Sequence, residues 1–433
     1  MKNDKKNPIK KRYYYDIDVK LASPLNIGGG ESLDPATDSD VLCNNQNEYF
    51  IPGSSIAGAF RNYVGEKKNE PSAFGFADSE EGKMSSIFIS DLYLDVSAHR
   101  IASRDRVHLN EEKQVATTGK FDMQVIEPGA TGTMKIEVVE RETGESDYHK
   151  VIDKLLLAVQ NGEVRFGSSK NRGLGRMTIE NVACATFDSN TREEWIKFID
   201  NGSIPSGKKS FEEWKEGKTP YEDKYLKFSV PLKLTGGISI RKYSAKPGKA
   251  DYEHITSSGK PVIPGTSWNG AIRAAAVEIL SELGVEDKAV AVLIDEWFGS
   301  ANQKATDQSK PASHQSKIII GESVIKGATP VSIKRNKIDR FSGGTSDTAL
   351  FTDISYFGGE TTLEYMISKD LSDEMRNGLS ELMDLIVEDI KRGMVAVGGQ
   401  VAIGRGIFEG IDNDNHNEEK AIGKKNLYNL IRR

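Results

Sequence analysis

Apolar and polar positions alternate with period two along residues 13–22 (YYYDIDVKLA) and again along 225–234 (YLKFSVPLKL), the pattern of a strand with one face in a core. After each strand a long loop returns to an Ile-Pro-Gly step, at 51–53 and 263–265, and a helix-period run begins. Its expected N-caps are Ser54 or Ser55 in the first case and Thr266 or Ser267 in the second. Ile272, Ala276, Ile279, Leu280 and Leu283 mark one apolar face of the second run, and Gly284 ends it. Strand patterns follow near 85–95 and 130–140, and near 316–325 and 360–367. Second helices come next: Val151, Ile152, Leu155, Leu156 and Val159 line one, while Leu379, Leu382, Leu385, Ile386 and Ile390 line the other. Gly162 and Gly393 close these helices, and a strand is expected to lead from each into a glycine-rich loop.

The order strand-helix-strand-strand-helix-strand thus occurs twice, which predicts an α+β chain of two tandem ferredoxin-like (RRM-like) domains. The expected boundaries are a basic N-terminal tail over 1–12, a first domain over 13–190, a linker over 191–222, a second domain over 223–412 and a C-terminal extension over 413–433. The polar stretch at 186–222 carries Pro205, Pro220 and many charges, with TREEWIKFIDNG as a short helix inside it.

The residues themselves repeat. IPGSSIAGAFR at 51–61 returns as IPGTSWNGAIR at 263–273, Phe74-Gly75 as Phe298-Gly299, and SSIFISD at 85–91 as SKIIIGE at 316–322. RDRVHLNEEKQVATTGKFDMQVIEPG at 104–129 corresponds to KRNKIDRFSGGTSDTALFTDISYFGG at 334–359. EVRFGSSKNRGLGRM at 163–177 corresponds to MVAVGGQVAIGRGIF at 394–408, with Gly175-Arg176 opposite Gly404-Arg405. Matched blocks in one order indicate an internal duplication.

Composition narrows the chemistry. The 41 glycines follow no collagen-like period, so they belong where backbone turns sharply or approaches a ligand. Cys43 and Cys184 lack metal-ligand spacing, and no apolar run is long enough to span a membrane, which points to a reducing, cytoplasmic setting with no membrane partner. A net charge of -6 excludes a uniformly basic surface but permits a locally basic groove. Gly53 and Gly265 open helices whose free N–H groups suit phosphate, with Ser54, Ser55, Thr266 and Ser267 beside them and Arg61 and Arg273 two turns on. Lys170, Arg172 and Arg176 give charge to the first glycine-rich loop and Arg405 to the second.

Together these blocks resemble the RAMP superfamily, specifically the repeating backbone subunit of type III CRISPR effector complexes, and as a fused pair they look most like the tandem proteins of type III-D systems. The resemblance implies binding of CRISPR guide RNA, engagement of a target single-stranded RNA, and assembly with other backbone, large and small subunits. It also implies a thumb hairpin in each domain that flips nucleotides out of the guide-target duplex. The segments at 98–130 and 330–359 fit, with Arg100, Arg104, Arg106, Lys334, Arg335, Lys337 and Arg340 flanking them and Phe121, Phe341 and Phe351 placed to stack on bases. It further implies a cutting Asp in the loop before Ile-Pro-Gly, followed by an apolar pair three and four residues later. Asp38 fits, 14 residues before Pro52; Asp251 fits 13 before Pro264, although His254 stands where an apolar residue is expected. Asp34 and Asp40 rival the first position and Glu253 the second. Each Asp is expected to hold a divalent ion, Mg²⁺ or Mn²⁺, and the product to be a 2′,3′-cyclic phosphate.

Two other readings compete. One is an idle scaffold of the same fold. The other is a guide-processing endoribonuclease, which usually needs a catalytic His; His99, His108, His149, His254, His314 and His416 share no position between the halves. A metabolic enzyme is disfavoured because no nucleotide-binding fingerprint is present.

Overall fold

Tyr13, Tyr15, Ile17, Val19 and Leu21 are buried along the first strand while the residues between them are less so, the side-chain period of a pleated strand against a core. The computed structural model describes residues 7–29, 38–65, 73–77, 82–96, 100–106, 121–142, 147–188, 192–201, 207–219, 221–243, 250–299, 315–411 and 425–431. Asp34, His99, His108, His314, His416 and most of the 98–120 segment lie outside them. The chain divides into two compact units, the first of residues 1–102, 124–170 and 174–223, the second of 103–123, 171–173 and 224–433.

Through the first half the principal elements run β1 (Ile9–Leu21), α1 (Gly53–Val64), β2 (Ile87–Ile89), β3 (Leu92–Asp95), β4 (Ile101–Arg106), β5 (Phe121–Ile126), β6 (Thr131–Arg141), α2 (Tyr148–Gln160), β7 (Met177–Asp188), α3 (Arg192–Asn201) and α4 (Phe211–Lys215). The main sheet is antiparallel in the order β7-β1-β6-β3, with β2 also against β6. Ile56 and Phe60 of α1 and Ile152, Leu155, Leu156 and Val159 of α2 close one core with the buried face of β1. Each such side chain contributes roughly 1.5–3 kcal/mol by leaving water.

The second half repeats the plan with β8 (Tyr225–Thr235), β9 (Tyr252–His254), α5 (Gly265–Glu282), α6 (Asp287–Phe298), β10 (Ile318–Ile320), β11 (Thr329–Ile338), β12 (Thr345–Phe357), β13 (Glu360–Ser368), α7 (Asp373–Lys391), β14 (Ile407–Gly410) and α8 (Lys425–Ile431). Its sheet order, β14-β8-β13-β10, matches the first and is likewise antiparallel. Both halves therefore have the mixed α+β, split β-α-β arrangement. β4 pairs with β5 as a two-stranded sheet, and β11 pairs antiparallel with β12 as the arms of a hairpin; β12 also takes β9 as a parallel neighbour.

Several expectations are corrected. Pro52 and Pro264 occupy the N-cap positions, with φ near -57° (-56 and -58) and extended ψ, so Ser54, Ser55, Thr266 and Ser267 sit inside the first turns and make no cap. Leu283 is largely exposed, because α5 ends at Glu282 and the next residue leaves the apolar face. The strands follow the glycine-rich loops instead of leading into them. β1 begins at Ile9, inside the expected tail, because Lys11 finds Asp188 at 3.7 Å and Arg12 pairs with Glu137 on the adjoining strands. The segment 191–222 packs on the first unit: a Ser210–Glu213 capping box starts α4, and Phe211 and Trp214 enter the core. α8 falls within the expected C-terminal extension and buries Leu427 in the second core. None of the described helices is long and apolar enough to cross a membrane.

Candidate nucleic-acid interface

The two glycine-rich loops share one backbone shape. Phe166 N–H donates to Gly175 O at 2.9 Å, and Val397 N–H donates to Gly406 O at the same distance; inside each closure lies a single 3-10 turn, Lys170–Arg172 or Val401–Ile403. Gly175 (φ 75°) and Gly406 (φ 73°) would set a Cβ 1.8 or 1.9 Å from the carbonyl oxygen of Phe166 or Val397, so only glycine fits. This geometry agrees with the block equivalence of 163–177 with 394–408 and overturns the Gly175-Arg176/Gly404-Arg405 match: Gly175 corresponds to Gly406, which places Arg176 opposite Ile407 and Arg405 opposite Leu174. Lys170 and Arg172 then face Val401 and Ile403. The first loop is cationic. The second exposes Val401 and Ile403, and its Arg405 stacks over the Phe357 ring at 4.5 Å. Arg176 donates its backbone N–H to Ser23 Oγ at 2.9 Å.

The acidic segments join the hairpins in parallel ways. Asp38 is exposed and immediately precedes Ser39, whose carbonyl accepts from Gln124 N–H of β5 at 2.9 Å; Gln124 Oε1 in turn accepts from Val41 N–H at 3.3 Å. Asp251 is exposed and immediately precedes Tyr252, which pairs in parallel with Asp353 of β12. The Asp251 carboxylate accepts Thr352 N–H at 2.7 Å. Asp40 is half-buried, and Glu253 lies within β9 opposite Lys242. The glycine-rich loops reach the same strands. Ser168 Oγ bonds Asn26 Oδ1 at 2.7 Å and Asn26 Nδ2 donates to Gln124 O at 2.8 Å, while Gln400 Nε2 donates to Asp353 Oδ2 at 2.7 Å.

The second unit gathers four of the expected cationic residues. Desolvation, then the like charges of Arg172 and Arg104, push Arg106 down to about 10. Arg172, which keeps an exposed surface, is lowered by desolvation first and by Arg273 second. Such crowding is relieved by an anion. Arg104 is itself buried and forms a two-point pair with Glu322, one contact at 3.3 Å and one shorter, so it is a structural cation and not an open hairpin contact. Arg273 reaches Gly299 O and Asp295 Oδ1 at 3.4 Å each. On the first unit, burial lowers Lys170.

The helix starts offer less to phosphate than expected. Gly53 N–H donates to Asp91 Oδ1 at 2.7 Å, so a carboxylate already holds that seat. At Gly265, the carbonyls of Arg172 and Ile320 come within 2.4 and 2.5 Å of where a Cβ would stand. Glycine is needed there for close backbone approach. Ser54 and Ser55 are exposed, Thr266, Ser267 and Arg61 half-buried. Of the hairpin residues, Arg340 is exposed at the turn, Phe121 is exposed on β5, Phe351 meets Tyr252 edge-on at 6.5 Å, and Arg335 donates to Gln400 Oε1 at 3.2 Å.

A family model of the RAMP superfamily matches residues 18–178 and 235–409, one match in each half and together most of the chain. The chain belongs to the RAMP superfamily. It is a CRISPR-associated RNA-binding protein, in a family whose members often cleave RNA. No curated protein matches the chain.

In this RAMP protein the departure at His254 resolves as packing. The ring is buried, its Nδ1 accepting from Ile240 N–H and its Nε2–H donating to Val262 O, each at 3.0 Å. It fills the apolar position as a neutral imidazole, its pKa pushed down to about 4 by burial. Between the ordinary value of 6.5 and about 4 the unfolded chain binds a proton that the folded chain refuses. Its contribution to stability is therefore complete above 6.5 and is lost as pH falls toward 4, roughly 3 kcal/mol in all. Urea unfolding of wild type and His254→Gln at pH 7 and pH 4.5 should show the smaller pH dependence in the variant; equal slopes would remove His254 as the titrating group.

Other acidic features of the RAMP chain lie elsewhere. Among the described residues, Glu140, Asp147 and His149 form a group of possible metal ligands, yet His149 Nδ1 and Asp147 N–H already engage Glu140 Oε1 at 2.9 and 3.1 Å. A cleft of about 700 Å³ on the first unit is lined by Asp18, Glu48, Asp95 and Glu180; Asp18 and Glu180 pair with Lys208 and Lys20, and an acid-rich lining of this kind does not favour phosphate. Sequence reasoning missed Asn26, Gln124, Asp353 and Gln400, whose polar side chains lie in apparently apolar or turn-rich stretches and carried no motif.

Proposed function

We propose that this RAMP protein is a double backbone subunit of a type III CRISPR effector, of the type III-D kind, that grips guide RNA and cuts complementary target RNA once per domain. The observation that carries the reading is a repeated juxtaposition: in each half the second arm of the hairpin holds both an acid-bearing segment and a glycine-rich loop. Two independent halves have kept it with different side chains. Asp38 and Asp251 are the cutting acids, and Ser54, Ser55, Lys170, Arg172, Arg176, Thr266, Ser267 and Arg405 track the guide.

RNA carries its own nucleophile, the 2′-hydroxyl. The hairpins splay a nucleotide so that this hydroxyl lies in line with the phosphorus, which removes much of the entropic barrier. The carboxylate takes the 2′-hydroxyl proton as the 2′-oxygen bonds to phosphorus, and the P–O5′ bond breaks with the leaving 5′-oxygen taking a proton from water, giving a 2′,3′-cyclic phosphate and a 5′-hydroxyl. Asp38 and Asp251 fit Mg²⁺ or Mn²⁺, since both expose carboxylate oxygens, the hard donors such ions take, and magnesium needs only one or two of them. Such an ion, when bound, offsets charge developing on the phosphate.

The enzyme claim is tested by offering the assembled complex a complementary RNA with Mg²⁺; two cuts at a fixed spacing are expected, and their complete absence would leave only the scaffold. The RNA grip has its own test. Guide affinity should fall with salt at about -0.7 in log–log slope per neutralised phosphate, and Lys170→Ala/Arg172→Ala should flatten that slope by about 1.4. An unchanged slope would place the first loop away from phosphate.

A further inference from the structure

The second domain buries a carboxyl group at a strand position where the first buries the apolar Met123. Asp353 is fully buried on β12, its Oδ2 accepting Gln400 Nε2 at 2.7 Å and Ser355 Oγ at 3.1 Å, while its Oδ1 has no hydrogen-bond partner. The position aligned with Asp353 in the first half is Met123, and the position aligned with Gln400 is Ser169. A strand can therefore fill this place with an apolar side chain, and a buried carboxylate costs several kcal/mol unless bonded. Gln400 is also strained, standing at φ 60° in the left-handed region that a residue with a Cβ seldom adopts. Its side chain is bound from both sides, by Asp353 and by Arg335 Nη2 at 3.2 Å, and its carbonyl accepts Ile403 N–H at 3.1 Å to start the 3-10 turn. One residue before Asp353, Thr352 N–H holds the Asp251 carboxylate.

We propose that Asp353 is the positioning residue of the second site: through Gln400 it fixes the glycine-rich loop 398–406, and the same turn of strand fixes Asp251, so that hairpin, loop and carboxylate are set as one body. The inference rests on the functional reading above. Asp353 does not touch the reacting atoms. It converts the seating of the hairpin into the shape of the loop, and the first domain uses Asn26 and Ser168 for the corresponding tie.

The discriminating variant is Gln400→Gly, which relieves the left-handed strain while removing the hold, with Asp353→Asn as its companion. In the full-length chain, amide exchange at Gly399, Arg405 and Gly406 is expected to quicken at least tenfold in Gln400→Gly, with amides of α7 unchanged. In the assembled complex, kcat for the second cut is expected to fall at least tenfold while the first cut, an internal control, stays within twofold. Unaltered loop exchange in Gln400→Gly overturns the proposal, as does equal slowing of both cuts. Should Asp353→Asn fail to fold, Gln400→Gly decides alone. A wild-type complex that makes no second cut overturns the reading of that site, and exchange still decides whether Asp353 orders the loop; a normal second cut in Gln400→Gly overturns only the role given to Asp353.

Discussion

An Asp38→Ala complex is expected to lose one of its two cuts in complementary RNA, and an Asp251→Ala complex the other, each by a factor of about 10²–10⁴, with guide binding intact. The magnitude is that of removing a positioned proton acceptor; binding is expected to survive because the glycine-rich loops proposed to grip phosphate do not involve either acid. Independence is expected because each acid is held by its own hairpin strand, Asp38 through Ser39 and Gln124, Asp251 through Thr352. Mapping product ends by primer extension separates the rivals: retention of the first cut in Asp38→Ala and its loss in Asp40→Asn would move the role to Asp40, and Glu253→Gln tests the second site the same way. If neither alanine variant alters cleavage that the wild type performs, the acids are bystanders.

Glu322→Ala is expected to destabilise the protein by about 3–5 kcal/mol, the cost of leaving a buried guanidinium without its carboxylate. Arg104 and Glu322 are each less than a tenth exposed, so water cannot replace the lost partner. The paired change Arg104→Met/Glu322→Leu should recover most of that loss, since an apolar pair of similar volume avoids the desolvation cost. Urea unfolding of the full chain measures both. Single changes costing under about 1 kcal/mol would mark the pair as an ordinary surface bridge.

What the sequence made legible follows from local physics. The alternation of Tyr13, Tyr15, Ile17, Val19 and Leu21 reports a half-buried strand because side-chain period is a property of the strand alone. The faces of α2 and α7 were readable for the same reason, and so was the duplicated order of elements. Caps were not. Ser54 and Ser55 carry a cap signature, but Pro52 turns the chain two residues before Ser54, and Asp91, 38 positions from Gly53, supplies the hydrogen bond to the Gly53 N–H. The pairing of the glycine-rich loops slipped by two residues because Gly-Arg is a visible dipeptide, whereas the requirement at Gly175 and Gly406 comes from a carbonyl nine residues back. Arg104 read as a nucleic-acid contact because its partner lies 218 positions away, beyond any spacing rule. Asp353 and Gln400 were invisible for the same reason, 47 residues apart with no motif between them.

On the proposed reading, both domains grip RNA through their glycine-rich loops. Ultraviolet cross-linking of the purified ribonucleoprotein, followed by sequencing of the bound RNA and mapping of the cross-linked peptides, tests it directly. Repeat-derived guide RNA attached to peptides spanning 166–176 and 397–408 is the expected result. Absence of RNA, or cross-links confined to one domain or to the acidic cleft around Asp18 and Glu180, would contradict it.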